Sequence, residues 1–283
     1  MGRLKVFGRG ETFSPPGLDE VQRRVLETMR HDGIALVPFQ ELFGDEQLWE
    51  RLRADIAGFA RHTEDNLAEL RAKQKKKSYL IRRFLKSGTP FGLDDRWLRF
   101  GLSSRMLDIV NSYRGELTWM IDVDNWYTIP DPNAEDRIAS QRWHRDPWDN
   151  HIVKVFTYFS NVDADAGPFE YLQGSPAGGR NAHLWPWEGD EVFEAHGLYP
   201  PQDEFESKAP AEDVLTATGP AGTMVFADTS GFHRGGWTRS KPRILSYCSF
   251  VSTQFRLPPR FEVDWSDGDG LSREAEFALA WSR

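Results

Sequence analysis

Hydrophobic positions in the first hundred residues recur every three to four. After Asp19, a residue suited to cap a helix, Val21, Val25, Leu26 and Met29 fall on one face and Gly33 follows as a stop. That spacing predicts a helix to about Arg30. Ile34-Ala35-Leu36-Val37 is too short for a helix and reads as a buried strand closed by Pro38. Asp45 opens a second helix with Leu48, Leu52, Ile56 and Phe59 in register, and polar helical sequence runs on toward Lys77. A further helix is predicted near Met106–Tyr113. After Gly115 the texture changes. Leu117–Ile129, Ile152–Phe159, Phe169–Leu172, Gly222–Ala227 and Arg243–Val251 are rich in β-branched and aromatic residues. Gly167-Pro168, Gly174-Ser175-Pro176 and Gly219-Pro220 punctuate them. Helices first and antiparallel strands later predict an α+β fold, with helices buttressing a β-sandwich or jelly roll.

The expected organisation is a loose arm over 1–17 and one domain over 18–283. Within it, 18–114 is helical, 115–255 is the β core and 256–283 is an acidic tail with a short last helix near Glu274–Trp281. The connection 177–215 is long enough to be a lid or binding loop, and it carries Trp185, Trp187 and Glu188. Aromatics beside acids there suit a cationic or sugar-like substrate; packing tryptophans in a solvated acidic loop account for them equally well.

Charge and composition narrow the function. A net charge of −8 argues against a general nucleic-acid binder, which needs a basic face, and gives no attraction to anionic membranes. Lys73, Lys75, Lys76 and Lys77 are the basic exception, read either as a solvated helix face or as a basic lip meeting an anionic substrate. The single cysteine, Cys248, forms no internal disulfide and excludes a CxxC zinc site, so a reducing, cytoplasmic setting is expected. No apolar run reaches the roughly 18 residues of a spanning helix, and Met1–Pro16 shows no secretory h-region.

Two His-x-acid pairs occur, His62-Thr63-Glu64 and His144-Arg145-Asp146. Residues two apart point away from each other on a helix and share a face on extended backbone. The first pair falls in a predicted helix, whereas the second lies between predicted strands and can project together. His233, after the Gly222–Ala227 strand, is the candidate third ligand. Two histidines and a carboxylate on one face leave coordination positions open, the pattern suited to non-haem Fe(II) with a bidentate co-substrate and O₂. Arg243, ten residues on, is placed to grip a carboxylate bidentately.

His144-x-Asp146, the run Ala166-Gly167-Pro168-Phe169-Glu170-Tyr171-Leu172-Gln173-Gly174-Ser175, the run Gly219-Pro220-Ala221-Gly222-Thr223-Met224-Val225-Phe226, His233 and Arg243 follow one another in that order. Together with Asp32-Gly33-Ile34-Ala35-Leu36-Val37, this set over about 18–255 resembles the phytanoyl-CoA dioxygenase family of Fe(II)/2-oxoglutarate-dependent oxygenases. The resemblance implies a double-stranded β-helix (jelly-roll, cupin-like) core. It implies iron on His144, Asp146 and His233, and 2-oxoglutarate salt-bridged to Arg243, with Phe156 packing on the co-substrate and Asn125 giving it a polar contact. It further implies a dioxygenase consuming 2-oxoglutarate and O₂ to hydroxylate or oxidatively cyclise a small molecule of secondary metabolism. Gly235 stands where the family often has a hydroxyl, and Gln173-Gly174-Ser175-Pro176 replaces its usual Pro-Gly-Ser-His. The alternative is a cupin-like metal-binding isomerase or a non-catalytic metal-binding sensor, in which Arg243 has no co-substrate role.

Overall fold

A computed structural model describes residue 13 and residues 16–74, 77–84, 90–185, 199–255, 260–265 and 270–282. Six helices surround the first strands: α1 Glu20–Asp32, α2 Phe39–Phe43, α3 Glu46–Asp65, α4 Leu67–Ala72, α5 Arg96–Gly101 and α6 Ser104–Arg114. Local chemistry sets the ends of α1. Asp19 accepts from the Gln22 N–H at 2.9 Å, and the Gln22 side chain accepts from the Asp19 N–H at 3.2 Å, a reciprocal cap. Gly33 closes the helix in the left-handed region, at φ +78°. Toward the other end of the chain lie α7 Gln202–Lys208 and α8 Arg273–Ala278.

Six antiparallel strands form the main sheet in the order β1 (Ile34–Pro38), β8 (Thr223–Asp228), β5 (Val153–Tyr158), β10 (Arg243–Val251), β4 (Trp119–Thr128) and β2 (Leu80–Arg82). Facing it is a smaller antiparallel sheet of β7 (Val214–Ala217), β6 (Phe169–Leu172) and β9 (His233–Arg234). A parallel pair, β3 (Phe91–Gly92) with β11 (Val263–Asp264), stands apart. The two antiparallel sheets are the jelly-roll core that the periodicity predicts.

Alternation along the strands separates two cores. Val123, Val155, Phe226, Cys248 and Phe250 point outward and pack with helix residues such as Leu52, Trp97 and Leu107. Phe156, Tyr158, Val225, Leu245 and Tyr247 point inward and meet Phe169 and Tyr171 of the small sheet.

Some expected boundaries shift. The helical run toward Lys77 stops at Ala72, and the chain enters β2 at Leu80 instead. The connection 177–215 is not a free loop throughout, because its described part holds α7 and the start of β7, and Phe205 of α7 is fully buried. The α8 helix falls where the tail predicts one. Most of the 1–17 arm lies outside the described residues.

Candidate metal and co-substrate site

The histidine strand is built by backbone pairing. His144 and His233 form an antiparallel bridge, each donating its N–H to the other's carbonyl at 3.0 and 2.9 Å. Two residues on, the Asp146 N–H donates to the Thr229 carbonyl at 2.8 Å. Extended pairing therefore turns His144 and Asp146 to one side, as their spacing requires. Arg145 turns to the other side and lies over the Phe232 ring at 3.9 Å. One ligand atom from each of His144, Asp146 and His233 lies within 4.8 Å of the others, and all three residues are buried.

The donor atoms are prepared for a cation. His144 Nδ1 donates to the Arg142 carbonyl at 2.8 Å and His233 Nδ1 to the Gly231 carbonyl at 2.9 Å. A carbonyl only accepts, so both Nδ1 atoms carry the proton and each Nε2 presents its lone pair. Burial pushes His144 down to about 4 and, with His144 beside it, pushes His233 well below the ordinary histidine value. Both imidazoles are thus neutral at pH 7, the form a metal needs. Burial works to raise the Asp146 carboxyl, but the Lys154 ammonium beside it outweighs that and holds it well below the usual carboxylate range. Lys154 Nζ sits 2.5 Å from Asp146 Oδ2. Two imidazole nitrogens and one carboxylate fit a divalent first-row metal such as Fe(II).

Below the triad a cavity of about 990 Å³, measured out to its open mouth, enters the barrel and includes Arg243 and Phe156 in its lining. Arg243 is 6% exposed, and its Nε and Nη1 have no hydrogen-bond partner. Burial pushes its guanidinium below the usual value. A buried guanidinium with two unmet donors is a seat for a carboxylate. Phe156 packs between Phe169, 5.2 Å away, and Tyr247, 6.0 Å away.

Two expected contacts are placed elsewhere. Asn125 does not line the cavity. It pairs in register with Ser246, whereas the cavity residues Trp126 and Leu245 pair one step along. The pleat thus turns Asn125 to the helix side, where its amide oxygen is 3.3 Å from Trp97 Nε1 of α5 once the amide satisfies both neighbours. Trp185 is 4% exposed in a cluster with Trp143, Phe205 and Phe232, so it packs behind the histidine strand and not on the cavity. Trp187 and Glu188 lie outside the described residues.

The site also holds residues that motif reading passed over. Arg82 reaches Asp124 at 2.8 Å, Asp122 at 3.3 Å and the Tyr247 hydroxyl at 2.9 Å. Tyr247 donates in turn to Asp122. Asp122, Asp124, Trp126 and Thr128 alternate along β4, and that period of two was the available signal. Behind β8, Asp228 accepts from Tyr113 at 2.9 Å, from Ser230 Oγ at 2.7 Å and from His151 at 2.5 Å, fixing the turn that leads to His233. The lysine run divides. Lys73 pairs with Glu69 on the α4 face, whereas Lys77 turns its ammonium to Ser140 in the cavity lining.

The fold has many solved counterparts. The chain matches the epimerase SnoN in complex with Fe3+, alpha ketoglutarate and nogalamycin RO at 15% identity and TM-score 0.54, over 89% of this chain and 92% of that one. It matches EctD from S. alaskensis with 2-oxoglutarate and 5-hydroxyectoine at 14% identity and TM-score 0.54, over 88% and 83%. It matches AviO1 from Streptomyces viridochromogenes Tue57 at 14% identity and TM-score 0.55, over 84% and 98%. No protein-family model and no curated protein matches the chain. At these identities the likeness defines the fold, a double-stranded β-helix, and function must be argued from the site.

Proposed function

We propose that this chain is an Fe(II)/2-oxoglutarate-dependent oxygenase of a small molecule, of the phytanoyl-CoA dioxygenase kind. The carrying observation is the joint presence, in one cavity, of two imidazoles with free Nε2 atoms, a buried carboxylate and a buried guanidinium with two unmet donors. His144, Asp146 and His233 would hold the metal. Arg243 would hold the far carboxylate of 2-oxoglutarate, with Phe156 beside it. When bound, this group couples decarboxylation of 2-oxoglutarate by O₂, to succinate and CO₂, with insertion of the second oxygen atom into a substrate C–H bond.

The chain's own residues orient and shield. Arg142 and Gly231 carbonyls fix the imidazoles, and Lys154 fixes one oxygen of Asp146. Phe156, Phe169 and Leu245 exclude water from the floor of the cavity. Natural-product chemistry is supported by counterparts such as SnoN, described as from nogalamycin biosynthesis. Cytoplasmic residence is supported by the lone buried Cys248, free of any disulfide. Among the described residues no helix is long and apolar enough to cross a membrane.

Anaerobic addition of Fe(II) and then 2-oxoglutarate is the test. A visible charge-transfer band is expected in the wild type and not in Asp146→Ala, with succinate released once air is admitted. Bound iron without a band in the wild type would overturn the reading in favour of a metal-binding barrel that works without an oxo-acid.

A further inference from the structure

Among the described residues the cavity lining carries more positive charge than its carboxylates balance. Lys77, Arg82, Lys154, Arg243 and Arg260 all line it. Lys154 is paired with Asp146, and Arg82 with Asp122 and Asp124. Among the described residues Arg260 pairs with Asp122, at 3.3 Å, an acid that Arg82 and Tyr247 already share. Arg243 is assigned to 2-oxoglutarate by the function proposed above, on which this inference rests. Lys77 has, among the described residues, a neutral partner, the Ser140 hydroxyl at 3.0 Å.

That partner is held in place. Tyr79 bonds Ser140 Oγ at 2.7 Å, and Gly235 donates its N–H to the Ser140 carbonyl at 2.6 Å. The preceding Ala139 has φ +47°, a left-handed conformation that a residue with a Cβ adopts at a cost and that clusters at ligand-facing turns. Lys77 is an exposed residue of this lining, and desolvation of its ammonium with the charges of Lys154 and Arg82, opposed by Asp146, pushes it down to about 8. The same lining has an apolar part, Ile121, Ile152, Phe255 and Trp148, the last 44% exposed.

We propose that the substrate carries an anionic group, a carboxylate or a phosphate, seated on Lys77 with Arg260 in support, and a hydrocarbon part laid on Ile121, Ile152, Trp148 and Phe255. The substrate thereby supplies a counter-charge that the described lining does not, and a neutral or cationic analogue gains no such pairing.

The probes are hexanoate, hexyl phosphate, hexanol and hexylammonium, titrated into protein saturated with Mn(II) and 2-oxoglutarate and followed by tryptophan fluorescence. At least one of the two anions is expected to bind about tenfold or more tighter than hexanol and hexylammonium, the ratio expected of a charge-assisted hydrogen bond. The better anion tells carboxylate from phosphate. Lys77→Met is expected to abolish the preference and Lys77→Arg to keep it, with 2-oxoglutarate affinity unchanged in both. Failure of 2-oxoglutarate to bind wild type overturns the co-substrate reading. Normal 2-oxoglutarate binding with equal affinity for hexanol and both anions overturns the anion seat alone. A preference that survives Lys77→Met overturns the assignment to Lys77.

Discussion

Replacing Arg243 by Met should have two effects of opposite sign. The guanidinium is buried with Nε and Nη1 unmet, so in the free protein it costs stability. An unsatisfied buried donor costs about 1–3 kcal/mol, and a hydrophobic side chain of similar length removes that cost. The variant without ligand should therefore melt higher. At about 2 °C per kcal/mol for a chain of this size, the rise is about 2–6 °C. With 2-oxoglutarate the sign reverses, because a bidentate guanidinium–carboxylate pair forms two charge-assisted hydrogen bonds. Those are worth about 1.5–3 kcal/mol each, so a combined loss of about 3–4 kcal/mol is a conservative figure. Affinity should fall about 100- to 1,000-fold. Arg243→Lys retains the charge without the fork and should fall in between. Calorimetric titration of 2-oxoglutarate into the Mn(II)-loaded proteins gives the affinities, and differential scanning calorimetry gives the melting points. An affinity within threefold of wild type would refute the anchor. A lower melting point in the ligand-free variant would refute the account of Arg243 as a group held in wait at a cost.

Two further outcomes follow from other parts of the molecule. The hydrogen bond to Asp228 raises His151 above its ordinary value of 6.5, with burial opposing. The protonated pair therefore stabilises the fold fully below about pH 6.5, and that contribution is lost as pH rises through the raised value. Wild type should lose more stability than His151→Gln between pH 6 and 8 in urea titrations, and parallel curves would sink the linkage. At Gly33, φ is +78° and an added Cβ would meet the Tyr171 hydroxyl and the Pro176 ring, so Gly33→Ala should cost about 1–3 kcal/mol by denaturant midpoint. A cost under about 0.5 kcal/mol would show that β1 and the Pro176 turn can separate freely.

The helices and long strands were legible because they bury one face and repeat with one period. Asp19, Gly33 and Asp45 mark ends by capping chemistry that acts within four residues. The His144–Asp146 geometry was legible because extended backbone needs no tertiary information to put alternate residues on one side. Asn125 failed for a related reason: a strand may be recognised while its phase is off by one, and one residue moves a side chain across the sheet. Trp185 stayed open between ligand and packing because composition cannot say whether a tryptophan in a long connection faces solvent, ligand or core. Its packing depends on α7, whose Phe205 arrives from twenty residues away. Lys77 was legible as one of a basic run that could face solvent or an anion, but which of the two was not, because its place depends on β2, a three-residue strand recognisable only by its pairing with β4. Gly235 shows the converse. A Cβ there would come to 3.1 Å of the Ser140 carbonyl, so the missing hydroxyl goes with a close approach of the Ser140 turn, invisible in either segment alone.

The division between the two faces of the main sheet explains how such a charged interior is tolerated. Along β10, Ile244, Ser246, Cys248 and Phe250 alternate with Arg243, Leu245, Tyr247 and Ser249, and the registers with β4 and β5 carry this alternation across the sheet. The outward row meets helices through buried aliphatic and aromatic side chains, each contributing about 1.5–3 kcal/mol by leaving water. The inward row holds Arg243, Lys154, Asp122 and Asp124 in a space open to solvent at its mouth. Apolar residues on that row would stabilise the sheet further, yet they would leave no seat for an ion, a carboxylate or a charged substrate. Stability drawn from the helix-covered face is what lets the cavity keep Arg243 Nε and Nη1 unmet. Because the pleat separates adjacent residues, Phe226 can be packed for strength while Val225 beside it lines the inner core. A chain built this way can change its cavity residues for a new substrate without loosening the helices that hold it folded, provided the substitutions keep to the inward phase.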